Sequence, residues 1–147
     1  MVKVFLGGTC EGYDWRSEVI ETTSHVRNLE LFNPIVEVWD EEARKRENDY
    51  KEECDICVFL VTPQMAGCYS IAEAVDMSNK HPDKTVFVYI PKLVVGKNMY
   101  TFTEKMEKSI KAVGEIVVAN GGKFMNSLQA LTFYLETAGI IDRLKYM

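Results

Sequence analysis

The sequence lacks several features, and each absence excludes a class of protein. No apolar run in its 147 residues approaches the roughly 20 needed to span a bilayer, and the N-terminal apolar stretch is too short for a signal peptide. Basic residues are outnumbered 22 to 17 by acidic ones, which gives a net charge of −5, and they cluster only at 44–46. A protein that binds nucleic acid polymers normally carries a basic face. We therefore expect a soluble, cytoplasmic protein that binds neither membranes nor nucleic acid polymers.

A metal site is not indicated by the four cysteines and two histidines. Cys54 and Cys57 have C-x-x-C spacing, but no second such pair and no histidine pair follows. Cys57 also lies within an apolar run, whereas thioredoxin-like motifs place the pair after a strand, at the start of a helix. We interpret both as free, buried or half-buried thiols that act as small hydrophobic residues.

Strand-like and helix-like segments alternate along the whole chain. Strands are predicted at residues 2–6, 29–32, 55–61, 85–90 and 123–125. Helices are predicted at residues 15–22, 40–54, 70–79, 103–120 and 127–138. This alternation predicts an α/β fold with a parallel sheet of five strands and helices on both faces. No repeat, low-complexity segment or linker is present, so residues 1–147 are interpreted as a single domain.

Two places in the second half of the chain interrupt this pattern. The segment between Pro91 and Thr103 has no clear periodicity and is interpreted as an irregular, mobile loop. Gly114 is a weak point within the helix predicted at 103–120 and could divide it.

The loops that follow the strands are the places to look for a ligand, because parallel sheets bind ligands at the carboxyl ends of their strands. The first loop, residues 7–16, is rich in glycine but matches neither a Walker A loop nor G-x-G-x-x-G. It either lets backbone amides approach a ligand or forms a tight turn from strand to helix. Arg16 could contact a phosphate or carboxylate, although a solvated helix residue is the commoner outcome.

The loop after the third strand contains the most informative pattern. Ser70-x-x-Glu73 matches a capping box, in which the two side chains satisfy each other's backbone amides. Alternatively, Glu73 is an ionised carboxylate in the first helical turn, favoured by the helix dipole and suited to attack an anomeric carbon. Spacing alone does not decide between these two interpretations.

The helix at 40–54 offers further acids. Glu47 and Asp49 lie toward its middle, and most acids of this helix must form a solvated face interleaved with basic residues. One acid that faces inward would not be distinguished by the pattern. Asp40 is equally well explained as a helix N-cap or as a ligand contact.

Taken together, four ordered segments resemble the nucleoside 2-deoxyribosyltransferase-like family over residues 2–90. They are 4–9 with Trp15-Arg16, Phe32-Asn33-Pro34 with Trp39-Asp40, 54–63, and 69–73. The resemblance implies a flavodoxin-like three-layer sandwich with strand order 2-1-3-4-5. It also implies a homodimer or higher homo-oligomer and a small-molecule nucleoside or nucleotide as the binding partner.

The resemblance further implies cleavage or transfer at an N-glycosidic bond by a retaining double displacement, with Glu73 as the nucleophile that forms a covalent glycosyl-enzyme. The family's acid that assists the leaving base falls near Glu47 or Asp49, and the resemblance does not choose between them. Transferases of the family often have Asp six residues before the nucleophile, where this chain has Gly67. Relatives that hydrolyse nucleotides tend to have Ser at that place, so Gly67 matches neither group. The missing Asp argues against transfer more than against bond cleavage in general, and it is also the feature that favours a non-catalytic sensor. Neither a metal nor an organic cofactor is implied.

The resemblance also places substrate-binding residues in the loops. They are Gly7, Gly8, Thr9, Trp15, Arg16, Asn33, Asp40, Gly67, Tyr69, Ser70 and, near the C-terminus, Asn126. Two other functions remain open: a non-catalytic sensor of a nucleotide-derived ligand on the same scaffold, and a hydrolase that cleaves NAD.

Overall fold

The apolar runs of the sequence form a parallel sheet in the computed structural model, which describes residues 1–146. In chain order its elements are β1 Val2–Gly8, α1 Trp15–Thr22, β2 Leu29–Phe32, α2 Glu41–Glu53, β3 Ile56–Val61, α3 Tyr69–Lys80, β4 Thr85–Tyr89, β5 Lys92–Val95, β6 Asn98–Thr101, α4 Glu104–Ala119, β7 Lys123–Met125 and α5 Leu128–Leu144. A 3₁₀ turn, Pro82–Lys84, connects α3 to β4. None of the helices in the described part of the chain is both long and apolar enough to cross a membrane.

The five parallel strands lie in the order β2-β1-β3-β4-β7, which confirms the predicted α/β fold and its flavodoxin-like strand order. Every residue of β3 and of β4 is buried, as expected for strands that helices cover on both sides. Helices α1 and α5 pack on one face of the sheet, and α3 and α4 pack on the other. Cys54 and Cys57 are free and buried, as predicted, and burial raises the pKa of Cys57 to about 12.

The segment predicted as an irregular loop forms an antiparallel hairpin instead, so that prediction is wrong. Strands β5 and β6 pair with Val95 opposite Asn98, which leaves Gly96 and Lys97 as a two-residue turn. Gly96 has a φ of +62°, the conformation for which glycine is favoured at the first position of such turns.

Helix α4 is continuous, so Gly114 does not divide it. A side chain at Gly114 would overlap the ring of Phe124, because the helix backbone packs directly on that ring. Phe124 is itself held between Phe87 and Tyr89, with ring centroids 5.7 and 5.6 Å away. The glycine is therefore required by the close contact between α4 and β7.

We expect Gly114→Ala to lower the free energy of unfolding by about 1–2 kcal/mol, because overpacking outweighs the better helix propensity of alanine. Chemical denaturation measures this change. Gly67→Ala is the matched control, since a Cβ at Gly67 would meet no atom within 4 Å. An unchanged or increased stability of Gly114→Ala would contradict the packing described here.

Candidate active site

A cavity of about 650 Å³ opens at the carboxyl end of β1, between the loop after β2 and the helices α2 and α3. Its apolar wall consists of Pro34, Ile35, Val36, Trp39 and Tyr69. Its charged side chains are Arg16, Arg44, Glu47 and Glu73. The cavity therefore combines an apolar wall with two carboxyl groups, at the edge of the sheet where ligands of this fold bind.

Glu73 is held by an ion pair rather than by its own helix terminus. Helix α3 begins at Tyr69, one residue earlier than predicted, and its N-cap residue, Cys68, makes no side-chain capping bond. Glu73 therefore lies in the second turn, so the capping-box interpretation is wrong, and so is the prediction that this carboxylate lies in the first turn. Its Oε2 accepts a hydrogen bond of 2.7 Å from Lys51 Nζ, and these two side chains are only 10% and 11% exposed.

The second carboxyl group of the cavity belongs to Glu47, which is half-buried on α2. Burial, followed by the negative charge of Glu73, raises the pKa of Glu47 to about 7, although Lys51 and Arg16 partly oppose this shift. Asp49 is exposed on the same helix and does not line the cavity. Of the two acids that the sequence left open, the structure brings only Glu47 to Glu73.

Arg16 shapes the first loop, and the expectation of a solvated side chain is wrong. It is 2% exposed, and burial lowers the pKa of its guanidinium. The guanidinium donates hydrogen bonds to the carbonyl oxygens of Leu6, Thr9 and Gly8 at 2.7, 2.8 and 3.0 Å. The indole of Trp15 donates to the same Thr9 oxygen at 2.9 Å. These bonds hold the loop in a tight turn at the wall of the cavity.

Because Arg16 satisfies three carbonyls, we expect Arg16→Lys to lower the free energy of unfolding by about 2–4 kcal/mol. A single ammonium cannot reproduce the planar arrangement of donors. Thermal and urea denaturation measure the loss, with Arg44→Lys as a control because Arg44 is exposed at the rim of the same cavity. Equal stability of the two variants would show that the loop does not depend on the guanidinium.

Some of the remaining predicted site residues line the cavity, and the others lie outside its wall. Gly7, Gly8, Tyr69 and Ser70 line the cavity, and Gly8, with a φ of +132°, packs too closely on the backbone of Leu60 to carry a side chain. The others lie outside its wall, and two of these are tied to local backbone.

Those two are Asn33 and Asp40. Asn33 Oδ1 accepts from the backbone N–H of Ile35 at 3.0 Å, and Asp40 caps α2 by accepting from Ala43 at 2.8 Å. Thr9, Trp15, Gly67 and Asn126 are also absent from the wall of the cavity. Trp15 and Asn126 instead line a second cavity of about 340 Å³.

Lys51 is the important residue that the sequence analysis missed. Ala43 is the one apolar residue in an otherwise charged first half of α2, and it is buried. Steps of four residues from Ala43 lead to Glu47 and then to Lys51, which share its face of the helix. A lone small apolar residue was thus the available signal for the inward face.

The chain belongs to the nucleoside 2-deoxyribosyltransferase-like family, because the model of that family matches residues 1–93. The matched part extends from β1 into β5 and contains Glu47, Lys51 and Glu73. No curated protein and no solved structure gave a significant match. Membership indicates glycosyl transfer at an N-glycosidic bond, with small nucleosides as substrates.

Proposed function

We propose that the protein cleaves, or transfers at, the N-glycosidic bond of a nucleoside or nucleotide through a covalent intermediate on Glu73. The observation that supports this most strongly is that one cavity contains two carboxyl groups whose electrostatic surroundings differ. One is paired with a cation, and the other has a pKa raised to about 7. A nucleophile and a proton donor for this chemistry need such a difference.

In the first step, the free oxygen of Glu73, Oε1, attacks C1′ of the sugar through a transition state with oxocarbenium character. The bond from C1′ to the base nitrogen breaks, and its electron pair takes the proton of Glu47. In the second step, water or an acceptor base attacks C1′, the ester bond to Glu73 breaks, and Glu47 takes up the proton that the attacking group releases.

The apolar wall supports a planar base as the leaving group. Ile35, Val36 and Trp39 are more than 40% exposed although they line the cavity, so the loop offers an apolar surface that the described residues leave partly uncovered. Stacking of a base on Trp39 would bury both. Tyr69, at the start of α3, borders the same space.

Gly67 argues against transfer to an acceptor base, because the carboxylate found there in transferases of the family is missing, but it also lacks the serine of the relatives that hydrolyse nucleotides. We further propose a homodimer or higher homo-oligomer, as the resemblance implies, and a cytoplasmic location, as predicted above from the composition.

A panel of nucleosides, nucleotides and NAD, incubated with the purified protein and chromatographed for free base, tests the proposal. We expect base release from at least one nucleoside or nucleotide, and a covalent sugar adduct on the wild-type protein in intact-mass spectra. Tight binding with no base release over long incubation would contradict the proposal and support a ligand sensor. Release from NAD alone would support the NAD-cleaving hydrolase instead.

A further inference from the structure

Lys51 pairs directly with one acid of the cavity and lies one helical turn from the other. It follows Glu47 by one turn of α2 and places its ammonium 2.7 Å from Glu73 Oε2. Lys51 does not line the cavity, so its ammonium contacts Glu73 from outside the cavity wall. None of the described residues donates a hydrogen bond to Oε1 of Glu73, and this oxygen remains available to a ligand.

The end of α2 that carries Lys51 is fixed to the rest of the fold. The ammonium of Lys84 donates to the backbone carbonyls of Lys51, Glu52 and Cys54 at 2.9, 3.0 and 3.2 Å. The thiol of Cys57, on β3, donates to the same Lys51 carbonyl at 3.4 Å. The backbone of Lys51 is therefore anchored against β3 and against the start of β4.

We propose that Lys51 is a positioning residue that assigns the negative charge of the cavity to Glu73 and the proton to Glu47. Two carboxylates in a poorly solvated site repel each other, so the pair holds on to one proton. A cation in direct contact with Glu73 stabilises its charged form, and the proton then resides on Glu47.

Other titratable groups face the same pair from each surrounding element. They are Cys10 from the loop after β1, Arg16 from α1, Arg44 from α2 and Tyr69 from α3. Arg16 is a second cation that acts on Glu47, and its Nε, Nη1 and Nη2 each donate one hydrogen bond to a backbone carbonyl rather than to either acid. Lys51 is the cation whose hydrogen bond distinguishes one acid from the other.

The effect of Lys51 on catalysis rests on the proposed function, because a double displacement needs one charged and one protonated acid at the same time. Without Lys51, the proton would be shared between the two carboxyl groups. Fewer molecules would then have the reactive arrangement at a given pH.

Carbon-13 titration of the glutamate carboxyl groups in the full chain tests the assignment without any substrate. In the wild type, we expect the titration near pH 7 to be confined to the Glu47 carbon. In Lys51→Met, we expect both the Glu47 and Glu73 carbons to titrate together, with a midpoint raised by about one pH unit or more. Lys51→Arg should restore the wild-type pattern because it retains the charge.

Lys80→Met is the matched control, since it removes an ammonium from the surface pair with Asp76 on α3, and it should leave the titration unchanged. If methionine is not tolerated at Lys51, Lys51→Gln keeps a hydrogen-bond donor without the charge and gives the same readout. The inference would be overturned if, in folded Lys51→Met or Lys51→Gln, only the Glu47 carbon titrated and its midpoint equalled that of the wild type.

Kinetics provide a second, separable measurement. Once a substrate is found, both limbs of the pH profile of kcat/KM should move to higher pH in Lys51→Met and return in Lys51→Arg. Base release with an unmoved profile would overturn the role of Lys51 and leave the proposed function standing. Absence of base release would remove the proposed function, while the titration would still decide which acid holds the proton.

Discussion

Glu73→Gln is expected to lower the rate of base release about a thousandfold or more, while the chain still folds. Glutamine has nearly the same shape and can still accept a hydrogen bond from Lys51, but its amide oxygen cannot form the glycosyl ester. The rate is measured by chromatography of the released base, and folding by circular dichroism and thermal denaturation. The covalent adduct should be absent from the variant.

Asp76→Asn provides the matched control for this substitution. Asp76 lies on α3 one turn after Glu73, but its side chain is 59% exposed and pairs with Lys80 at the surface. Removing its charge should leave the rate of base release within about twofold, because exposed ion pairs contribute little. If Glu73→Gln retained the wild-type rate on a substrate that the protein cleaves, Glu73 would not be the nucleophile.

Glu47→Gln is expected to reduce base release by about 10²- to 10⁴-fold, the usual contribution of a positioned general acid. The pKa of Glu47 is raised to about 7, so the wild-type rate should fall as the pH rises through this value and the acid loses its proton. The variant should lack that limb of the profile. Asp49→Asn is the control on the same helix, and equal losses in both variants would contradict the assignment of Glu47.

The same titration should appear in the stability of the wild type. The pKa of Glu47 is raised in the folded protein from an ordinary value of 4.5, so the folded state holds more protons than the unfolded state between about pH 4.5 and pH 7. The contribution of Glu47 to the free energy of unfolding must therefore fall as the pH rises through this window. Glu47→Gln should remove that dependence, as denaturation at several pH values would show.

Local patterns in the sequence predicted most of the sheet and its helices. Continuous apolar runs identified β3 and β4, because strands covered on both faces leave no polar positions. The hairpin of β5 and β6 was missed although Gly96-Lys97 separates two strand-like runs. Its strands alternate only weakly, since the hairpin packs apart from the main sheet.

The arrangement of the cavity was less accessible to sequence reasoning. The capping-box interpretation failed because Lys51, 22 residues before Glu73, provides the partner of the carboxylate. Rules based on sequence spacing, such as the capping box, consider only residues close together in the chain. They cannot identify a partner on another helix. Glu47 and Asp49 differ by two positions, which places them on different faces of α2, and only the packing of Ala43 reveals which face turns inward.

The family match ends at residue 93, yet the interior of the protein draws on the polypeptide that follows. Ile110 and Val117 of α4, and Leu131 and Leu135 of α5, are completely buried, and β7 occupies the outer edge of β4. A product shortened to the matched portion would expose this edge to strand exchange with other copies. The residues that match the family therefore do not contain the whole buried core of this protein.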